Sequence, residues 1–238
     1  LCQADLLEDA WNGTGQFQGT EPIRGFGAVA GVYEEACQIV VRADSEISTV
    51  EELEGHRVSI GEEESGTKQN ALQILAAYGL NEKLVEEVSL NYTEAAKELE
   101  NGTIDAFFCT AGVQTAAITN LAQRTGIRFL NVDSAAAARL KKSYPVYDSC
   151  IIAAGTYPGQ EEDVSTVGVK AVLLASDSVS AEVVEELTAL LFEEQQELDF
   201  ALPVELITDA DAAVAGISVP FHKGAERYYE SRGEKSEN

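Results

Sequence analysis

Ser65-Gly66-Thr67 offers two hydroxyls and, where a helix starts, free backbone N–H groups. Gly61 and Gly66 permit backbone angles that a side chain would forbid. Such a loop suits an anionic group such as a carboxylate. Other chemistry reads more weakly. Cys109 and His56 are a nucleophile and a base by type, but nothing in the sequence places them together. Cys109 also sits in the apolar run Ala106-Phe-Phe-Cys109, where a thiol is inert. Carboxylates are so plentiful that no catalytic pair stands out. No P-loop is present, and no GxGxxG follows a strand. Cys2, Cys37, Cys109 and Cys150 show no CxxC spacing, and only His56 and His222 could join them. No catalytic residue, metal site or cofactor is therefore expected.

Composition narrows the class. The chain has 238 residues, 45% of them hydrophobic, enough for one large domain or two small ones. A formal net charge of −25 argues against nucleic acid and anionic membrane surfaces, which need a basic patch. No signal peptide and no membrane-length apolar run are read. A chain that begins at Leu1 and contains no methionine reads as processed or trimmed. Each cysteine lies in or beside a separate apolar run, so buried free thiols are expected. In an exported protein four cysteines would allow three disulfide pairings instead.

The elements that must hold the Ser65 loop follow from periodicity. Val58 and Ile60 read as a strand; Ala71, Leu72, Ile74, Leu75 and Tyr78 recur at helical spacing; Gly79 stops the helix. Ser65 or Thr67 serves as its N-cap. Leu1–Trp11 reads as the tail of a strand running into a short helix. Strands are expected over 23–33, 38–42, 85–90, 104–110, 127–132, 150–154 and 167–175. Helices are expected over 48–53, 92–100, 113–122, 134–142, 181–198, 208–216 and 222–230, with a polar tail after 231. From 57 to 142 strand and helix alternate strictly, the signature of an α/β fold with a mostly parallel sheet. The Asn-x-Thr sequons at Asn12, Asn91 and Asn101 read as turn and cap chemistry.

An ordered set of segments carries a family resemblance over essentially the whole chain. They are Gln38-Ile-Val-Val-Arg42, Asp44-Ser45, Glu52 to Gly61, Ser65-Gly-Thr67 with Asn70-Ala71, Gly102 to Gly112, Ala154 to Gln160 and Gly224 to Tyr229. Together they resemble the TAXI family, the extracytoplasmic solute receptors of tripartite ATP-independent periplasmic (TRAP) transporters. The resemblance implies a periplasmic-binding-protein-like fold of two lobes that closes over a small solute. Glutamate or a related carboxylate is the implied solute, and the permease subunits of a TRAP transporter are the implied partner. The implied location is periplasmic or extracellular, with a lipoprotein anchor allowed in a full-length form. Lobe two would be residues 43–160, and lobe one 1–42 with 161–238.

Members of the family open on a strand and a Gly-rich loop that this chain does not show. Leu1 to Asp5 resembles their third strand, so the resemblance implies an incomplete first lobe. Its unpaired sheet edge would invite a homodimer. Glu62-Glu-Glu64 stands where relatives carry small residues. Poorly screened, each carboxylate would repel an anion by about 1 kcal/mol or more.

The resemblance assigns roles. Ser65, Gly66 and Thr67 would present hydroxyls and N–H groups to a carboxylate. Thr110, Ala111 and Gly112 end the next buried strand at the same edge. Gln38 lies where the chain crosses between lobes. Tyr33 and Tyr157 would wall the cleft, and Gln3 and Asp5 would edge it on the first lobe. The alternatives are an effector-sensing domain of the same two-lobed fold, which would need a DNA-binding helix-turn-helix that the chain does not show, and an enzyme on that fold.

Overall fold

The computed structural model describes residues 1–194 and 204–233. In chain order the elements are β1 (Cys2–Gln3), α1 (Ala4–Asn12), β2 (Phe26–Arg42), β3 (Arg57–Ser59), α2 (Gly66–Ala77), β4 (Glu86–Val88), α3 (Tyr92–Asn101), β5 (Ala106–Ala111) and α4 (Ala116–Arg124). They continue as β6 (Ile127–Phe129), α5 (Ser134–Ser143), β7 (Asp148–Ile152), β8 (Val164–Ser176), α6 (Ala181–Glu193), α7 (Ala210–Val214) and α8 (Lys223–Ser231). This is an α/β chain with helices flanking a sheet, the class that the alternation implied.

Two compact units divide the chain. One comprises Leu1–Glu34 with Val169–Asn238, the other Glu35–Gly168. The divisions fall inside β2 and β8, whereas the sequence reading divides at 42/43 and 160/161.

Unit two carries the Ser65 loop. Its parallel strands are β5, β3 and β4, with Val58 opposite both Ala106 and Glu87. These pairings lie within the alternating stretch and are parallel as expected; the antiparallel pairings involve strands outside it. β2 runs antiparallel to β5, with Gln38 opposite Cys109, and antiparallel to β6, with Val40 opposite Phe129. β7 runs antiparallel to β8. The apolar run Gln38–Arg42 is therefore buried, as expected, but as part of a strand that opposes its neighbours. The core of this unit packs Val40, Phe107, Cys109 and Phe129 against Leu99 of α3 and Ile118 and Leu121 of α4.

Local chemistry sets the element ends. Ser65 caps α2, accepting from the Lys68 N–H at 3.1 Å, which decides between the two cap candidates. Asn91 and Glu94 form a capping box at α3, and Gly102 ends it in the left-handed region at φ 72°. Asp133 caps α5. Residues 48–53 form only a 3-10 turn, Glu51–Leu53, but the Glu52 carboxylate does accept from Ser48 and Thr49 N–H groups.

In unit one β1 pairs antiparallel with β8, Cys2 opposite Val172. Ala4, Leu7, Val29, Val172, Val184, Phe221, Tyr228 and Tyr229 build its core. The expected pair of strands at 23–33 and 38–42 is one seventeen-residue strand, β2. Nothing between Tyr33 and Cys37 has turn chemistry, so the chain stays extended across Glu34-Glu35. Its glycines mark close approaches: a Cβ on Gly27 would lie 2.5 Å from the His222 backbone nitrogen. His222 caps α8, its Nδ1 accepting from Gly224 N–H. Ser180 caps α6. The expected continuation of that helix over 195–198, and the tail over 234–238, lie outside the described residues.

Candidate functional site

Because β3 and β5 are parallel neighbours, their carboxyl ends share one edge of unit two. The turn 60–65 into α2 and the turn 112–115 into α4 therefore emerge together, where ligands collect on α/β sheets.

The first turn is held by caps and charges. The Ser65 hydroxyl donates to Glu62 O at 2.7 Å while accepting from Lys68 N–H. Glu63 meets Lys68 Nζ at 2.5 Å and accepts from Ser89 Oγ at 2.7 Å. Lys68 first, then Ser89, holds the Glu63 carboxyl below its usual 4.5. So the middle one of the three glutamates is matched by a cation, while Glu62 and Glu64 face solvent. No acceptor among the described residues takes the N–H groups of Gly66 and Thr67. Both residues are buried. The first N–H groups of a helix have no intrahelical acceptor, and a bound anion would satisfy them.

The Thr67 hydroxyl is not available in the same way. It accepts from Thr110 N–H at 3.3 Å and lies 2.6 Å from the Tyr92 phenol. Tyr92 donates its single proton to Thr110 O at 2.9 Å, so Thr67 donates to Tyr92. This closed ring ties the first turn of α2 to the end of β5. Thr110 is itself buried, its hydroxyl donating to Cys37 Sγ at 3.5 Å.

The second turn is held from below. Tyr157, 2% exposed, donates to Gln38 Oε1 at 2.5 Å and accepts from Thr115 N–H at 3.0 Å. Gln38 Nε2 points at Thr115 Oγ1 (3.3 Å) and Ala111 O (3.5 Å), and Thr115 Oγ1 donates to Gly112 O at 2.9 Å. Gln38 is 1% exposed, so it is no surface amide. Within this turn Gln114 adopts φ 64°, a left-handed conformation that costs a non-glycine residue about 1–2 kcal/mol. Burial pushes the phenols of Tyr92 and Tyr157 up, so both remain protonated donors.

Eight of the sequence-derived residues thus belong to unit two: Gln38, Ser65, Gly66, Thr67, Thr110, Ala111, Gly112 and Tyr157. Tyr33, Gln3 and Asp5 belong to unit one. Tyr33 bridges to Leu206, Gln3 pairs with Ala171 in the sheet, and Asp5 is 5% exposed with Oδ1 accepting from Leu6 N–H. Sequence reasoning missed Tyr92 and Thr115. Thr115 immediately precedes Ala-Ala-Ile, a cap-type residue before a helical run, and starting the helix at Val113 hid it.

The four cysteines sit in four different strands; Cys37 and Cys109 are buried, Cys2 and Cys150 half-buried. Burial pushes the Cys109 thiol up to about 12, which removes its nucleophilic form at neutral pH. Among the described residues no cluster of three or more His, Cys, Asp or Glu side chains could hold a metal ion. No helix among them is long and apolar enough to cross a membrane.

Several solved structures are similar in fold. The periplasmic aliphatic sulphonate binding protein SsuA from Escherichia coli matches at 19% identity and a TM-score of 0.44, over 83% of this chain and 63% of that one. A TctC solute binding protein from Polaromonas matches at 19% identity and 0.48, over 84% and 65%. An ancestral arginine-binding protein bound to glutamine matches at 15% identity and 0.39, over 82% and 72%. This chain spans less than two thirds of the length of the first two, and likenesses this distant carry no functional weight. The model of the NMT1-like family matches residues 1–233, and the chain belongs to that family.

Proposed function

We propose that this chain is an extracytoplasmic solute-binding receptor that captures a small carboxylate and hands it to a membrane permease. The observation that carries this reading is the pair of N–H groups at the buried residues Gly66 and Thr67, in the first turn of α2, which lack acceptors among the described residues. They stand beside the turn that ends β5, and Lys68 pairs with Glu63 of the preceding turn. The resemblance to TAXI receptors supports the finer reading: a TRAP-type permease as partner, and glutamate or a related acid as solute. The solute's carboxylate would take the two N–H groups without any proton transfer, so the role is binding and not catalysis. Pairing of a second copy along the outer edge of β1 belongs to the same reading, and sedimentation of the chain at two concentrations tests it.

Isothermal titration with glutamate, 2-oxoglutarate and glutamine tests the solute. Saturable one-to-one binding of at least one acid is expected. Glutamine keeps the α-carboxylate, so its affinity relative to glutamate tells which end of the solute the site reads. No heat with any of the three would remove the carboxylate reading.

A further inference from the structure

Gln38 and Tyr157 both fall beside the candidate site, and both look from sequence like groups that touch solute. Their hydrogen bonds point elsewhere. Tyr157 follows β7 by five residues and is buried. Its one proton goes to Gln38 Oε1, and its oxygen receives the Thr115 N–H. Gln38 turns its two Nε2 protons toward Thr115 Oγ1 and Ala111 O. Thr115 completes the set through Gly112 O. Every polar end of this network is thus directed at the turn 111–115 or at another network member.

The arrangement replaces an ordinary cap. Thr115 is the N-cap residue of α4 but makes no side-chain capping bond. Its hydroxyl folds back onto Gly112 and its N–H is anchored on a phenol rooted in another loop. Between them Gln114 holds a left-handed angle. A turn with that conformation at its centre persists where its surroundings over-determine it. Buried, fully partnered polar groups have that effect, since breaking one strands the others.

We propose that Tyr157 and Gln38 are positioning residues: acting as one unit, they set the course of the Ala111–Thr115 turn and so present its backbone to the solute, without touching the solute themselves. The proposal rests on the receptor reading of that edge.

Its test uses Tyr157→Phe, Gln38→Leu and the double variant of the whole chain, with two readouts. The first is titration with glutamate and 2-oxoglutarate. The second is backbone hydrogen exchange of the segment 111–118, which needs no solute. Each single variant is expected to weaken binding about tenfold and to speed exchange in that segment, as the loss of one buried hydrogen bond would. The double variant is expected to be no weaker than the worse single one, because both act through one network. Direct contact with solute would instead make the losses multiply. Unchanged exchange in Tyr157→Phe, or unchanged affinity in a chain that binds, overturns the proposal. If the parent chain binds neither acid, the receptor reading for these solutes fails, and exchange alone decides whether Tyr157 sets the turn.

Discussion

The two turns at the carboxyl edge of unit two solve one problem in different ways. Both leave neighbouring parallel strands and both open a helix. The turn into α2 has a regular serine cap, a glycine at φ 96° and an exposed Glu63 paired with Lys68. Each turn also holds one non-glycine residue in the left-handed region, Glu64 at φ 61° and Gln114 at φ 64°, but the turn into α4 has no side-chain cap and is held by a buried phenol and amide. The first is specified by its own sequence. The second is specified by residues 38 and 157, remote in the chain. The tyrosine ring at Tyr92 joins them, since Thr67 of α2 and Thr110 of β5 share its phenol.

Breaking that joint should have the largest effect on stability. Tyr92→Phe leaves the Thr110 carbonyl and the Thr67 hydroxyl without their partner, and should cost about 3 kcal/mol in chemical denaturation. A much smaller loss would mean that the two turns are independent. Gly61→Ala comes next. Its Cβ would sit 3.0 Å from both Ser65 Oγ and the Thr67 side chain at a strained angle, so a cost of about 2 kcal/mol is expected. Ser65→Ala removes the cap together with the bond to Glu62 O and should cost about 1 kcal/mol, read in the same denaturation series.

The smallest effect is electrostatic and has a defined sign. Glu63 has a lowered folded pKa, so its stabilising contribution is present above 4.5 and is lost as pH falls through the lower folded value. Lys68→Ala removes the largest cause of that depression. It should therefore shrink the acid-side loss of thermal stability contributed by Glu63, and salt should have the same direction of effect. The buried network around Tyr157 contains no carboxylate and should leave the acid limb of the stability curve unmoved.

The same contrast explains what was legible in the sequence. The Ser65 loop could be read because strand, glycine, cap and amphipathic helix lie in one continuous stretch. The capped starts of α3 and α5 were near for the same reason: Asn91 with Glu94, and Asp133, lie next to what they cap. The brace on the second turn was not legible, because Gln38, Thr115 and Tyr157 meet only after β2 and β5 pair. Periodicity gave Tyr157 as an aromatic near a strand end and could not say where its hydroxyl points. Strand direction was legible only where strand and helix alternate: β3, β4 and β5 are parallel as that pattern implies, whereas β2, which precedes it, runs against β5 and β6. The division of β2 into two strands failed at 34–37, where Glu34-Glu35 interrupts the apolar pattern but no residue has turn chemistry.

A 15N-edited amide spectrum of the chain, recorded while glutamate or 2-oxoglutarate is added, tests the anion site at the start of α2. Saturable shifts are expected at Gly66 and Thr67, with smaller ones at 112–115. Saturable binding that leaves the Gly66 and Thr67 amides unmoved would contradict that site.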